Sequence, residues 1–526
     1  MAAEATRHGW LRSAAAAVVA TVMAAGSAQA QPAGSSSSPG ADLIARGKYL
    51  TTMGDCEACH SAINSPKFAG GRLMPTPFGP IPTANITPDK ETGIGNYTDD
   101  QFYRALHDGI NAKGEYIYPV MPYPWYTKVT RDDVLAIKAY LFSLQPVHNK
   151  VGPNQMSFPF NVRTGLAVYD AMFLRAGEFK PDPSKSAEVN RGAYIVEGLE
   201  HCGECHNGRN LLGDTGLARS LQGAPIQNWY APNITNDVHE GVGKYTDDQL
   251  FAYLKTGVAP GMGVVAGPMA ETVHDSLSKL NDSDIKAIIA YLRQTKPEAS
   301  YTEVKDSSYT GPQPAGRQTY LSYCASCHQL DGKGLPGAVP SLAGNGAVMA
   351  GGAENIERVV LGGIPAQGGL APMPAVGASM TDQEVADVAN YIRQSWGNNA
   401  PPNAGAGTVG ELRPHTFTQM NLGPNGQCEK VTDQKLASVI QDPNSGILDA
   451  LKKMTQATVL QTSEAIAAKV KARAPDAKRD DVVNSLTIAY CPIVEQDSQV
   501  PANLKVATLD QFSGRIYSVL KTDGKE

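Results

Sequence analysis

The sequence predicts a mainly α-helical protein, three small domains in series followed by a helical extension, and three observations predict it. The pattern Cys-x-x-Cys-His occurs three times, at Cys56 to His60, Cys202 to His206 and Cys324 to His328. Each copy follows a short segment of shared wording, Arg46-Gly-Lys-Tyr-Leu, Arg191-Gly-Ala-Tyr-Ile or Gly316-Arg-Gln-Thr-Tyr-Leu, and each precedes a capped segment with apolar residues at helical spacing. Finally, 52 glycines and 36 prolines in 526 residues suit short elements joined by turns.

The elements follow in order. Residues 1–30 carry Arg7 and Arg12, the apolar run Ala14 to Ala25, and the small-residue site Ala28-Gln-Ala30, the grammar of a secretory signal peptide cut near Gln31. The run is short of the ~20 residues a bilayer requires, so an exported, periplasmic chain is expected. The first repeat, residues 41–175, closes on Val134, Ile137, Tyr140 and Leu141; the second, 189–296, on Ile285, Ile288, Ile289 and Leu292; the third, 316–397, on Val385, Val388, Ala389 and Ile392. Ahead of these stand Thr130 with Asp133, Asn281 with Asp284, and Thr381 with Glu384, the spacing of a capping box. Asn85-Ile-Thr is echoed by Asn233-Ile-Thr, and Tyr97-Thr-Asp-Asp-Gln by Tyr245-Thr-Asp-Asp-Gln, so the first two repeats are close copies and the third a shorter cousin. Stretches 176–188 and 297–315 read as linkers.

Residues 400–526 hold no copy of the pattern; helices are expected there at 446–457, 462–473 and 480–488. Cys428 and Cys491 remain outside the close pairs, and in an oxidising compartment they are expected to form a disulfide. Two readings of this extension stand side by side, a docking module and a structural cover over the third repeat. The net charge of −6 supplies no basic field for nucleic acid, and a hydrophobic content of 42% excludes wholesale disorder.

The chemistry lies in the repeated pattern. Two thiols three residues apart on one helical turn can add to the two vinyl groups of a heme, and the adjacent histidine then supplies one axial nitrogen to iron. A single copy also suits a dithiol redox motif or half a zinc site, but the chain lacks the βαβ context of the first and the partnered second pair of the second. The expectation is three covalently bound heme c groups, on Cys56 and Cys59, Cys202 and Cys205, and Cys324 and Cys327, with His60, His206 and His328 as proximal ligands. Each repeat becomes a class I cytochrome c-like domain whose core is completed by the porphyrin.

Methionine is a common sixth ligand and raises the potential. Met121, in Pro119-Val-Met-Pro, is chosen in the first repeat against Met74; Met269, in Gly267-Pro-Met, in the second against Met262; Met373, in Ala371-Pro-Met-Pro, in the third against Met380. Trp125 and Trp229 read either as residues lining a heme edge or partner contact, or as ordinary core.

In these motifs residues 41–396 resemble the triheme cytochrome c subunit of bacterial membrane-associated periplasmic dehydrogenases that oxidise alcohols, gluconate, sorbitol or aldehydes. The resemblance rests on the three Cys-x-x-Cys-His copies, both Asn-Ile-Thr loops, both Tyr-Thr-Asp-Asp-Gln segments, Gly267-Pro-Met-Ala-Glu and Ala371-Pro-Met-Pro. It implies His60, His206 and His328 as proximal ligands, and Met121, Met269 and Met373 as distal ones. It also implies a large catalytic partner carrying PQQ, FAD or molybdopterin, in some relatives a small iron–sulfur subunit, and ubiquinone or a terminal oxidase as acceptor at the periplasmic face of the inner membrane. The long disulfide-bearing extension departs from the alcohol- and sugar-oxidising members and favours the molybdenum-dependent aldehyde version. Two rival classes are a free periplasmic electron shuttle and a heme enzyme such as a peroxidase, which needs an open iron position. No nucleophilic triad or nucleotide loop appears in the chain to oxidise a substrate by itself.

Overall fold

At each repeat the helix that enters and the helix that closes cross at a glycine. Entry helices Pro39–Met53, Ala187–Tyr194 and Ala315–Tyr323 pair with closing helices Arg131–Ser143, Asp282–Leu292 and Asp382–Gln394. A Cβ on Gly47 would lie 1.8 Å from the Ala136 carbonyl oxygen; on Gly192, 1.9 Å from that of Ala287; on Gly316, 1.9 Å from that of Asp387. No side chain fits between the backbones, which is why the shared wording ahead of each motif contains glycine. The computed structural model describes residues 39–62, 65–215, 221–301, 315–413, 428–455, 458–498, 500 and 505–520. The expected signal peptide and most of the expected linker 297–315 lie outside the described residues.

The first two repeats are joined by an exchange of tyrosines. The Tyr49 hydroxyl, in the first repeat, donates to Asp284 at 2.7 Å and accepts from the Asn281 N–H; Tyr194, in the second, donates to Asp133 at 2.6 Å and accepts from the Thr130 N–H. This modifies the expected caps. Thr130, Asn281 and Thr381 each accept from the amide three residues on, but only Thr381 completes the reciprocal box, through Glu384. At the other two positions the third residue is aspartate, one methylene shorter than glutamate, and the cap N–H is taken by the tyrosine of the neighbouring repeat. Asp133 binds Arg46 at 2.6 Å and Asp284 binds Arg191 through two oxygens at 2.8 and 2.9 Å, which keeps both buried acids paired. A single apolar core accordingly runs through both repeats, from Leu50, Val134 and Ile137 to Ile195, Leu199, Ile285 and Ile288.

The third repeat has its own core around Tyr320, Val360, Val385, Val388 and Ile392, and helix Ala406–Leu412 adds Val409 and Leu412 to it. That helix falls within the 400–526 span expected for the extension, yet it packs with the third repeat because its apolar face finds the closing helix there. The remaining extension builds a separate core on helices Gln434–Gln441, Ile447–Lys453, Val459–Arg473, Arg479–Gln496 and Lys505–Leu520. Of the three expected helices, 462–473 and 480–488 lie within this set, whereas 446–457 is shortened to Ile447–Lys453 because the chain turns extended at Met454. The sequence pattern marks neither the first nor the last of the set, the last because glycine, serine and threonine dilute its pattern and only burial of Leu509, Phe512 and Ile516 reveals its face. Cys428 and Cys491 are joined by a disulfide across a Cα separation of 5.7 Å. Sheet is confined to three two-stranded antiparallel pairs among the described residues, Leu73–Met74 with Ile81–Pro82, Ala224–Ile226 with Trp229–Ala231, and Val258–Ala259 with Gly263–Val264. No described helix is long and apolar enough to cross a membrane.

Replacing Gly192 by alanine drives a methyl group into the Ala287 carbonyl. The expected result is a stability loss of about 1–3 kcal/mol, the usual range for overpacking, read as a lowered denaturation midpoint of the holoprotein. An unchanged midpoint would show that the crossing can open without cost.

Candidate heme sites

Each Cys-x-x-Cys-His pattern forms its own short helix turn, Cys56–His60, Cys202–His206 and Ala325–His328 in the third. In the first two the chain reverses just ahead of the motif through a left-handed residue, Asp55 (φ 49°) and His201 (φ 37°). Left-handed non-glycine residues cost energy and persist where surrounding packing over-determines them. A π-helical turn, Ile195–Leu199, carries the second entry helix into its motif.

The Asn-Ile-Thr loops orient the histidines. His60 Nδ1 lies 2.7 Å from the Ala84 carbonyl and His206 Nδ1 2.7 Å from that of Pro232, the residues immediately ahead of Asn85 and Asn233. With Nδ1–H donating to a carbonyl, the Nε2 lone pair is left for a metal. Asn85 holds its turn by accepting from the Thr87 N–H at 3.0 Å and Thr87 hydroxyl at 2.8 Å, while its amide donates to the Val147 carbonyl at 2.8 Å. Asn233 repeats this with Thr235, at 2.8 Å to both groups, and donates to the Glu298 carbonyl at 2.6 Å. Gly70 and Gly223 complete the device: their N–H groups bond the carbonyls of His60 and His206, at φ 71° and 90°, with backbone where a Cβ would stand. In the third repeat the Pro340 carbonyl faces His328, but Nδ1 closes no hydrogen bond of ordinary geometry.

The residues present fit a heme. An apolar cleft in the third repeat is lined by Cys324, Cys327, His328 and Met373, with Val339, Pro340, Ile364 and Leu370 as its walls. Burial pushes the Cys56, Cys59 and Cys205 thiols up to about 12 and that of Cys324 to about 11, which is the reverse of a reactive dithiol. Burial lowers the pKa of His60, His206 and His328, the last to about 4, so each imidazole is neutral and can offer a nitrogen to iron. Among the described residues no cluster of three or more His, Cys, Asp and Glu forms that could hold a bare metal ion.

Met121 sits in the loop ahead of helix Tyr123–Tyr126, its carbonyl accepting from the Tyr123 N–H, and Met269 in the first turn of helix Gly267–Asp275; both pack against the shared core. Of the competitors, Met74 lies in a short strand, Met262 in a hairpin turn, and Met380 is 5% exposed within the third core. Trp125 lies outside the apolar core: its indole N–H donates to Glu204 at 3.1 Å while its ring presses on Gly203, between the two cysteines of the second motif. Trp229 is buried under Gly267, beside Met269, with the Arg358 guanidinium of the third repeat 4.9 Å from its ring.

Further contacts that sequence spacing could not reveal bring the sites together. Arg72 donates to the Ala58 carbonyl inside the first motif and pairs through both terminal nitrogens with Glu271 of the second repeat. Val264, on the second repeat's hairpin, lines the third cleft, and Gln367 of the third repeat donates to the Val265 carbonyl at 3.0 Å.

A family model described as Cytochrome c matches residues 189–296 and 314–396. The cytochrome c subunit of the quinone-type alcohol dehydrogenase of Gluconobacter oxydans is 37% identical over 429 residues, 77% of this chain and 88% of that one. The chain belongs to the family of dehydrogenase cytochrome c subunits. The gluconate 2-dehydrogenase cytochrome c subunit of Pantoea cypripedii is 36% identical over 409 residues, 72% of this chain and 92% of that one. A nicotinate dehydrogenase subunit of Pseudomonas putida is 39% identical over 369 residues, 69% of this chain, which spans only 31% of that larger protein. As a member of the family this cytochrome c subunit is the electron-transfer chain, distinct from a catalytic dehydrogenase subunit, and its three motifs correspond to three covalently bound heme c groups.

Glu200, two residues ahead of Cys202, is buried and accepts from the Ser276 hydroxyl at 2.6 Å; burial pushes its pKa up to about 8. In the native state it holds its proton at neutral pH, whereas the unfolded chain ionises it above the ordinary value of 4.5. The native state therefore binds the extra proton, and this group's contribution, full below 4.5, is lost as pH rises through about 8. Denaturant midpoints across that window should fall for the native sequence and fall less steeply for Glu200→Gln. Parallel curves would show that the carboxyl ionises inside the fold.

Proposed function

We propose that this chain accepts electrons from a catalytic dehydrogenase subunit and delivers them to ubiquinone or a terminal oxidase at the periplasmic face of the inner membrane. When bound, each heme supplies a one-electron carrier of tuned potential. The chain's own residues do the rest: three cysteine pairs hold the groups, His60, His206 and His328 offer nitrogen, and Met121, Met269 and Met373 offer sulfur. The observation that carries this reading is the packing of the three repeats against one another in chain order, first to second through Trp125 on Glu204 and Arg72 on Glu271, second to third through the hairpin at Val264, which lines the cleft of the third motif.

Register supports Met269 over Met262. Asn85 and Asn233, Tyr97 and Tyr245, Gly109 and Gly257, and Met121 and Met269 are all separated by one constant offset, and the Ile117 and Val265 amides bond the carbonyls of Gly109 and Gly257 alike. Methionine on all three irons would leave no open position, which disfavours a peroxidase-type enzyme.

The donor subunit is proposed to oxidise an alcohol, a sugar or an aldehyde, with PQQ, FAD or molybdopterin as its cofactor, the last accompanied by a small iron–sulfur subunit. Alcohol and gluconate appear in the names of relatives that this chain covers almost end to end. Native mass spectrometry of the complex released gently from its host membrane tests the assembly. A large partner subunit with retained cofactor is the expected species, and a lone triheme chain under conditions that preserve comparable complexes would favour the free shuttle. Met121→Ala, Met269→Ala and Met373→Ala should each abolish the long-wavelength sulfur-to-iron absorption of one heme in three; an undiminished band would remove that methionine from the ligand set.

A further inference from the structure

Met373 closes the base of a hairpin whose tip is held by the C-terminal extension. At the base, the N–H groups of Ile364 and Met373 each bond the other's carbonyl at 2.9 Å. At the tip, Gly368 and Gly369 take φ of 54° and 81°, a pair of residues with the least intrinsic stiffness the chain can offer. Four hydrogen bonds from the extension arrive there. The Gly369 N–H donates to Asp480 at 2.7 Å, its carbonyl accepts from Arg479 at 2.8 Å and from the Tyr517 hydroxyl at 2.9 Å, and the Ala366 carbonyl accepts from Asn484 at 2.8 Å. The Arg479 guanidinium lies 4.4 Å from the Tyr517 ring, and Ala366 itself is fully buried in the extension's core. Arg479, Asp480 and Asn484 share helix Arg479–Gln496, whose Cys491 carries the disulfide to Cys428.

We propose that the disulfide-bonded extension is an intramolecular clamp on the Ala366–Met373 hairpin, and that Asp480, Asn484, Arg479 and Tyr517 are positioning residues for the third heme's distal sulfur. The proposal rests on the reading of Met373 as that ligand. A thioether is a weak, neutral donor, and its hold on iron against a small competing ligand depends on the local concentration of sulfur, which falls when the hairpin that carries it gains freedom. Fixing the tip from outside the domain restricts that freedom without placing any charge in the cleft. The role of the extension is then to keep the Met373 sulfur available to the third heme, in a repeat where His328 Nδ1 faces the Pro340 carbonyl without a hydrogen bond of ordinary geometry. This gives the cover over the third repeat a chemical purpose.

The test is imidazole binding to the full-length oxidised holoprotein, followed by stopped-flow absorption, for Asp480→Ala/Asn484→Ala and for Asp480→Asn. The double variant should bind imidazole at one heme in three about tenfold faster, the factor to which one or two ordinary hydrogen bonds convert. Asp480→Asn keeps an acceptor for the Gly369 N–H and should bind at the native rate. Hydrogen exchange of peptides spanning 428–520 checks that the extension remains folded, and faster exchange in the double variant should be confined to 364–373. Unchanged imidazole kinetics at all three hemes, with Met373→Ala altering one of them, would overturn the clamp while leaving the ligand reading intact. Met373→Ala without effect on any heme would overturn both.

Discussion

The approach of two helix backbones at Gly47, Gly192 and Gly316 is the constraint on which the rest of each repeat depends. Because an entry helix rests directly on a carbonyl of its closing helix, the turn that follows emerges at a fixed height, and that turn is the Cys-x-x-Cys-His motif. A domain of this size buries little apolar surface with its own side chains, and a covalently held cofactor together with a neighbouring repeat supplies what is missing. The shared core of the first two repeats and the exchange of Tyr49 and Tyr194 between them express the same shortage in two ways.

Histidine orientation is solved twice with the same parts and once without them. In the first two repeats an asparagine turn braced by threonine aims a carbonyl at Nδ1, and a left-handed glycine lets the two chain segments touch. A fixed tautomer and ring plane follow, which is the task that outer hydrogen bonds perform around metal-binding histidines generally. The third repeat has no Asn-Ile-Thr segment, and its Pro340 carbonyl leaves Nδ1 without a well-formed bond. What that repeat has instead is a hairpin gripped on several sides, by the extension, by Ala338 through the Ala371 N–H, and by the second repeat through Gln367 and the Val265 carbonyl.

Charge near the sites is managed by pairing or by proton retention. Arg72 and Glu271 neutralise one another where the first two repeats meet, and Arg209 offsets Glu204 beside the second motif. Glu200 has no cationic partner in hydrogen-bond reach and stays protonated by burial. A neutral surrounding suits a site whose potential is set by its own ligands, because an ionised carboxylate close by would stabilise the oxidised iron.

Much of this was legible in the sequence, and for a physical reason: covalent attachment of a heme demands particular atoms at a fixed local spacing, so the motif, the entry glycine and the capped closing helix all lie within short windows. The same holds for the expected pairing of Cys428 with Cys491, two cysteines left over in an exported chain. Contacts across long separations left no such trace. Nothing local in Tyr49 marks Asp284 as its partner, nothing in Trp125 marks Gly203, and nothing in Asp480 or Asn484 marks the hairpin at Gly369. The sequence by itself determined the three Cys-x-x-Cys-His motifs and the heme c groups they correspond to, because those are written in adjacent residues. Only the tertiary structure decided how the repeats abut, that helix Ala406–Leu412 serves the third repeat, and where the extension rests, because each of these depends on which buried faces find one another after the chain has folded.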